Sequence, residues 1–182
     1  MISPTPPLAT SRRLGALTMV AVAVTLAGCA PTPAPTPTPT AAFASEEEAF
    51  AAAEATFRQY TAATNATDLA DPSSFALVFE WLLADALSAA RENYSKFHAA
   101  GITRRGASTF DTFTPVTYSE AVVTAYVCLD IAEVELFNVD GTSAVPPDRP
   151  SRQALEVSFA PAKTDTEFAI SSTTPTESLQ CG

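Results

Sequence analysis

Near Arg104 the spacing of apolar side chains changes from every third or fourth residue to every second one, and this switch restricts the chain to helices followed by strands. Ahead of it, Ser45 followed by Glu46, Glu47 and Glu48 has the form of a capping box, with acids placed where the helix dipole is positive. Phe50, Ala53, Phe57, Tyr60 and Thr64 then recur at spacings of three and four, which predicts a first helix to about residue 64 with one aromatic face. Asp71-Pro72 is a second start signal. Phe75, Val78 and Phe79 predict a short helix after it, and Leu83, Ala86, Leu87, Ala90, Tyr94 and Phe97 stripe a longer one that stops near Gly101.

Beyond the switch, in EAVVTAYVCLDI, Ala121, Val123, Ala125, Val127, Leu129 and Ile131 share one face of a strand, and Thr124, Tyr126, Cys128 and Asp130 share the other. Leu155, Val157 and Phe159 alternate in a second strand, and TEFAISSTTP supplies a third. STFDTF and EVELFN are weaker strands, Asn138 to Gly141 carries turn residues, and Val145 to Pro150 is a proline-rich loop. Helices first and an antiparallel sheet after them predict one α+β domain over residues 45–182, its N-terminal helices packed on the apolar face of the sheet.

The segment before this domain has a different character. Leu14 to Gly28 is an uncharged apolar run of 15 residues preceded by Arg12 and Arg13. A membrane span needs about 20, so residues 1–28 read as an export signal. Leu26-Ala27-Gly28-Cys29 resembles the lipobox of bacterial lipoproteins, which implies cleavage before Cys29 and a diacylglyceryl group on its thiol. Two acyl chains suffice for stable attachment where one does not. The implied location is the outer face of the cytoplasmic membrane, with the membrane itself as the partner of Cys29. In the linker, residues 29–44, Pro31, Pro33, Pro35, Pro37 and Pro39 alternate with Thr and Ala, a pattern that favours an extended polyproline spacer.

Cleavage would leave Cys128 and Cys181, an even pair in an exported chain, and predicts a disulfide across 52 intervening residues. A metal-thiolate site would lack ligands, because there is no CxxC and only one histidine. Loss of Arg12 and Arg13 with the leader would leave eight basic residues against 20 acids, a formal charge of −12. Such a surface repels nucleic acid and argues for solubility.

The stretch from Ser45 to Cys181 resembles the nuclear-transport-factor-2-like domain of many actinobacterial lipoproteins. The resemblance rests on SEEEAFAAAEATFRQY, FHAAGITRRGASTFDTF, VTAYVCLDIAEVELFNVDG, PPDRPSRQALEVSFAP and SLQCG, all structural motifs. It implies a curved sheet wrapped on a long helix, forming a cone with an internal pocket, and it matches the two cysteines to a disulfide-bonded pair. FALVFEWLLADAL, between Ser74 and Leu87, is more apolar than that pattern.

Chemistry in such a cone would draw on Tyr94, His98, Asp111 and Tyr126, the candidate pocket residues. Every Ser-His, Cys-His or metal scheme must use His98, the only histidine, and its place one turn after Tyr94 fits a structural role better. GASTF, Gly106 to Phe110, lacks the second glycine and the strand-turn-helix setting of a nucleophile elbow. Glu133 and Glu135 read as a solvated strand face with Val134 and Leu136 on the core side. No phosphate loop, calcium loop or zinc helix occurs, so no cofactor or metal is expected, and no catalytic residue is assigned. The expectation is a binding or interaction module whose partner is an envelope protein or a small apolar ligand. The alternative is a small isomerase- or cyclase-like enzyme using the pocket, which would need a buried carboxylate beside a Tyr or His.

Overall fold

A computed structural model describes residues 43–182. The leader, Cys29 and the linker up to residue 42 lie outside the described residues.

The first helix, α1, spans Glu46–Ala66. Ser45 caps it as the sequence predicts, its hydroxyl accepting from the Glu48 N–H at 3.1 Å. The reciprocal half of the box is displaced by one residue: the Glu48 carboxylate accepts from the N–H of Ala44 at 2.8 Å, one position before the cap. The buried face of α1 is Ala49, Ala53, Thr56, Phe57 and Thr61. Thr56 and Thr61 are tolerated there because each hydroxyl donates at 2.8 Å to the carbonyl four residues back.

Asp71 caps a 3₁₀ turn over Pro72–Phe75 that runs into the short helix α2, Ala76–Phe79. The apolar stretch that follows does not continue as helix. Instead the Ile170 N–H donates to the Trp81 carbonyl, and the Ile170 carbonyl accepts from the Leu83 N–H, both at 2.9 Å. Residues 81–83 therefore cover part of a sheet edge, which accounts for their apolar character. Leu83 is the residue before the third helix, α3, Ala84–Ala99. At its end the Gly101 N–H donates to the His98 carbonyl and the Ile102 N–H to the Phe97 carbonyl, with Gly101 at φ +66°. This is a Schellman stop, with the left-handed position filled by glycine.

Six strands follow: β1 Thr103–Arg105, β2 Thr109–Tyr118, β3 Val123–Asp130, β4 Glu135–Phe137, β5 Arg152–Pro161 and β6 Phe168–Pro175. β2, β3, β5 and β6 form an antiparallel sheet in the order β2-β3-β5-β6, and β1 pairs with β4 in a small second sheet. Register shifts in β2 between Phe110 and Thr112 and between Pro115 and Thr117, and in β6 at Ser171 opposite Ser158 and Phe159, mark bulges that bend the sheet. Val123, Ala125, Val127, Leu155, Val157 and Phe159 pack with Ala53 and Phe57 of α1 in the core. This is the α+β arrangement implied by the resemblance, with helices on the concave face of a curved antiparallel sheet.

On the opposite face, Cys128 is bonded to Cys181 with a Cα–Cα distance of 5.5 Å. The disulfide ties the C-terminal tail across β3 and leaves Cys128 buried.

Candidate functional site

None of the residues of α3 is fully buried, although the helix carries a clear apolar stripe. The reason is a cavity of about 570 Å³ between α3, the last turns of α1 and the sheet. That volume lies within the range of small-molecule sites. Ala86, Ala90, Tyr94 and Phe97 of α3 form one wall, and Leu82, Leu129, Ile131, Val134 and Leu136 form much of the other. The stripe on α3 thus faces open space as well as protein.

Tyr60 and Thr64 from α1, Tyr94 from α3 and Arg104 from β1 form one polar cluster in this largely apolar chamber, whose lining also includes Thr67, Asp85, Asn93, Ser108 and residues 172–174. Arg104 is held from below by the end of α1. One Nη donates to the Thr64 carbonyl at 2.6 Å and the other to Asn65 Oδ1 at 2.8 Å. The last turn of α1 contains no basic residue of its own, so Arg104 supplies the cation that its unpaired carbonyls and negative dipole end favour. Asn65 is itself fixed to the entry of β2. Its Oδ1 accepts from the Ser108 N–H at 2.9 Å and its Nδ2 donates to the Ser108 carbonyl at 2.8 Å.

Burial controls the electrostatics of the cluster. Loss of hydration pushes the Tyr60 phenol up from its ordinary value of 10.0. The same cause, reinforced by the nearby Tyr60, pushes Tyr94 up to about 12. Burial lowers Arg104, while the two phenols oppose that shift. A guanidinium nonetheless keeps its charge in a protein. The Thr64 hydroxyl is close enough to temper both phenol shifts, yet its buried oxygen has no hydrogen-bond partner.

Of the four residues that the sequence nominates for a pocket, the cavity lining contains Tyr94 and not the other three. His98 is exposed beside the ring of Phe75, and its Nδ1 lies 3.1 Å from the Leu69 carbonyl, so it latches α3 to the preceding loop. Asp111 sits at a bulge of β2 on the surface and binds Arg152 through both oxygens, at 2.6 and 2.7 Å. The hydrogen bonds from Arg152 hold its carboxyl below the usual range. Tyr126 pairs with Thr114 and Glu156 on the face of β3 that alternation turns away from the helices. Conversely, Tyr60 and Thr64 are residues whose periodicity reads as core, and Arg104 lies in FHAAGITRRGASTFDTF, a stretch read only as structural. The available signal was a Tyr and a Thr ending an otherwise apolar stripe, with a basic residue at the switch of period. Glu133 lies in the connection before β4, outside any strand. Among the described residues, no group of three His, Cys, Asp or Glu side chains is placed to hold a metal ion.

No protein-family model matches this chain, and no curated protein matches it. Solved structures do. A protein from Novosphingobium aromaticivorans described as an aromatic ring hydroxylase is 11% identical, with a TM-score of 0.49 over 72% of this chain and 96% of its own. The intermembrane space region of the chloroplast protein ARC6 is 13% identical, with a TM-score of 0.46 over 68% of this chain and 92% of its own. A protein from Catenulispora acidiphila in complex with S-DNPA is 13% identical, with a TM-score of 0.44 over 69% and 90%. Identities and scores of this size say nothing about ligand or chemistry.

Proposed function

We propose that this chain is a lipid-anchored binding module of the cell envelope, whose nuclear-transport-factor-2-like cone takes up a small apolar ligand. The tether is read from the leader, the lipobox-like Leu26 to Cys29 and the proline-rich spacer. The observation that carries the binding role is the open cavity of about 570 Å³, walled by apolar side chains and supplied with one polar cluster. The same cluster favours binding over catalysis. Proton transfer near neutral pH needs a group that titrates there, whereas Tyr94 is pushed up to about 12. Asp85, the one carboxylate in the lining among the described residues, is exposed, and His98 is engaged elsewhere.

A neutral apolar fluorophore, N-phenyl-1-naphthylamine, tests this reading on the purified full chain. The expected result is saturable fluorescence enhancement with one site per chain. Ala90→Phe, which adds a ring on the cavity face of α3, should weaken it at least tenfold. Non-saturable enhancement that Ala90→Phe leaves unchanged would place the dye on the surface and sink the proposal.

A further inference from the structure

We infer that the cavity selects ligands carrying a single carboxylate, seated against Arg104, Tyr94 and the free hydroxyl of Thr64, with an apolar body lying along α3. The inference rests on the binding role proposed above and adds the class of its ligand.

Three observations carry it. First, Arg104 is half-buried in a cavity wall, and no carboxylate pairs with it among the described residues, although the chain has 20 acids. The ion pairs that do form use Arg58, Lys96 and Arg152, all outside this cavity. The carbonyl end of α1 offsets part of the cost of taking this guanidinium out of water, and a ligand carboxylate offsets more of it. Second, hydrogen bonds to Thr64 and Asn65 occupy two of its donors and fix its plane. An arginine has about five N–H donors in a planar fork, which suits the two oxygens of a carboxylate. Third, the buried Thr64 hydroxyl lacks a partner beside the same group. It lies within reach of both phenols but makes no well-formed hydrogen bond with either, so it can donate to an acceptor placed in the cavity. The charge count limits the ligand further. Among the described residues Arg104 is the one basic side chain of the lining, which also holds the exposed Asp85, so a monoanion fits and a phosphate dianion leaves charge unpaired.

The test compares 2-naphthoate with its neutral isostere 2-naphthamide, each displacing N-phenyl-1-naphthylamine from the full chain at pH 7. The expected ratio of affinities is about tenfold in favour of the acid, the usual advantage of a charge-assisted hydrogen bond. Arg104→Gln should bring the ratio to near one. Arg104→Lys keeps the charge without the fork and should give an intermediate ratio; it also covers the case in which the glutamine variant does not fold. Thr64→Val should reduce the ratio by a smaller factor. Equal binding of acid and amide to the wild-type chain, or an acid preference that survives both Arg104 variants, overturns the carboxylate inference and leaves the binding module standing. If neither compound nor the dye binds, both fall together.

Discussion

Asn65 and Ser108, 43 positions apart, are joined as two strands would be: the side-chain amide accepts from the Ser108 N–H at 2.9 Å and donates to the Ser108 carbonyl at 2.8 Å. The same amide oxygen accepts from the Ser108 hydroxyl and from Arg104. One side chain therefore sets the distance between the end of α1, the start of β2 and the cationic group of the cavity. Asn65→Ala should lower stability by about 2 kcal/mol, because the buried Ser108 is left with unpaired groups. Chemical denaturation measures the loss. Asn65→Asp should recover part of it, since the accepting oxygen remains.

Tyr94 makes stability depend on alkaline pH. Its folded pKa of about 12 lies above the ordinary 10.0, so between these values the folded chain holds a proton that the unfolded chain has released. The stabilisation is fully present below pH 10 and is lost as pH rises toward 12. The contribution is on the order of 2 kcal/mol. Tyr94→Phe should flatten this part of the profile in denaturation experiments between pH 8 and 12, leaving the share that belongs to Tyr60.

Gly106 and Gly141 both have positive φ, +74° and +82°, yet they should respond differently to alanine. At Gly141 a Cβ meets nothing, so only backbone strain of about 1 kcal/mol is expected. At Gly106 the Cβ would collide with the backbone carbonyl of Glu133, at the packing of β1 on the β4 connection. Gly106→Ala should therefore cost more than Gly141→Ala by at least about 2 kcal/mol, and thermal melts of the two variants decide it.

How much of this was legible beforehand follows from how local each signal is. The Ser45 cap, the stop at Gly101 and the alternation of Val123, Ala125 and Val127 depend on neighbours in sequence, and each stands where the pattern places it. Trp81 to Leu83 look like more helix because they are apolar, but their apolarity serves the edge of β6, which is supplied some 90 residues later. The resemblance implies an internal pocket, but the periodicity does not show which residues line it, for a related reason. Tyr60, Ala90 and Phe97 have the spacing of core residues whether the far side of the space is filled or empty. Tyr126 and Asp111 were named for their chemistry, while their strand faces, set by register, turn them away from the site.

The Cys128–Cys181 disulfide closes a long loop, its ends 53 positions apart in the chain. In the chain-entropy view such a link contributes about 4 kcal/mol by restricting the unfolded chain. Cys181→Ser should lower the midpoint of guanidinium denaturation, and a reductant should bring the wild-type chain to the same value. A variant that stays unchanged in oxidising buffer would remove this role.

Cys29 provides the last prediction. If its thiol carries a diacylglyceryl group, the protein made in a bacterial host that processes lipoproteins should fractionate with membranes. Mass spectrometry should then find an N-terminus at residue 29 with two acyl chains. Cys29→Ala should move the protein to the soluble fraction. An unprocessed amino terminus on the wild-type protein would rule the anchor out.

A helix with no fully buried residue is an unusual wall for a protein of this size, and it separates two demands that most helices must satisfy together. The core under α1 sustains the fold through Phe57, Val127, Val157 and Phe159. Ala86, Ala89 and Ala90 line the chamber instead, and exchanges there change its shape more directly than they change that core. Descendants of such a scaffold can acquire new guests by altering three small side chains, while the architecture that displays them is left untouched.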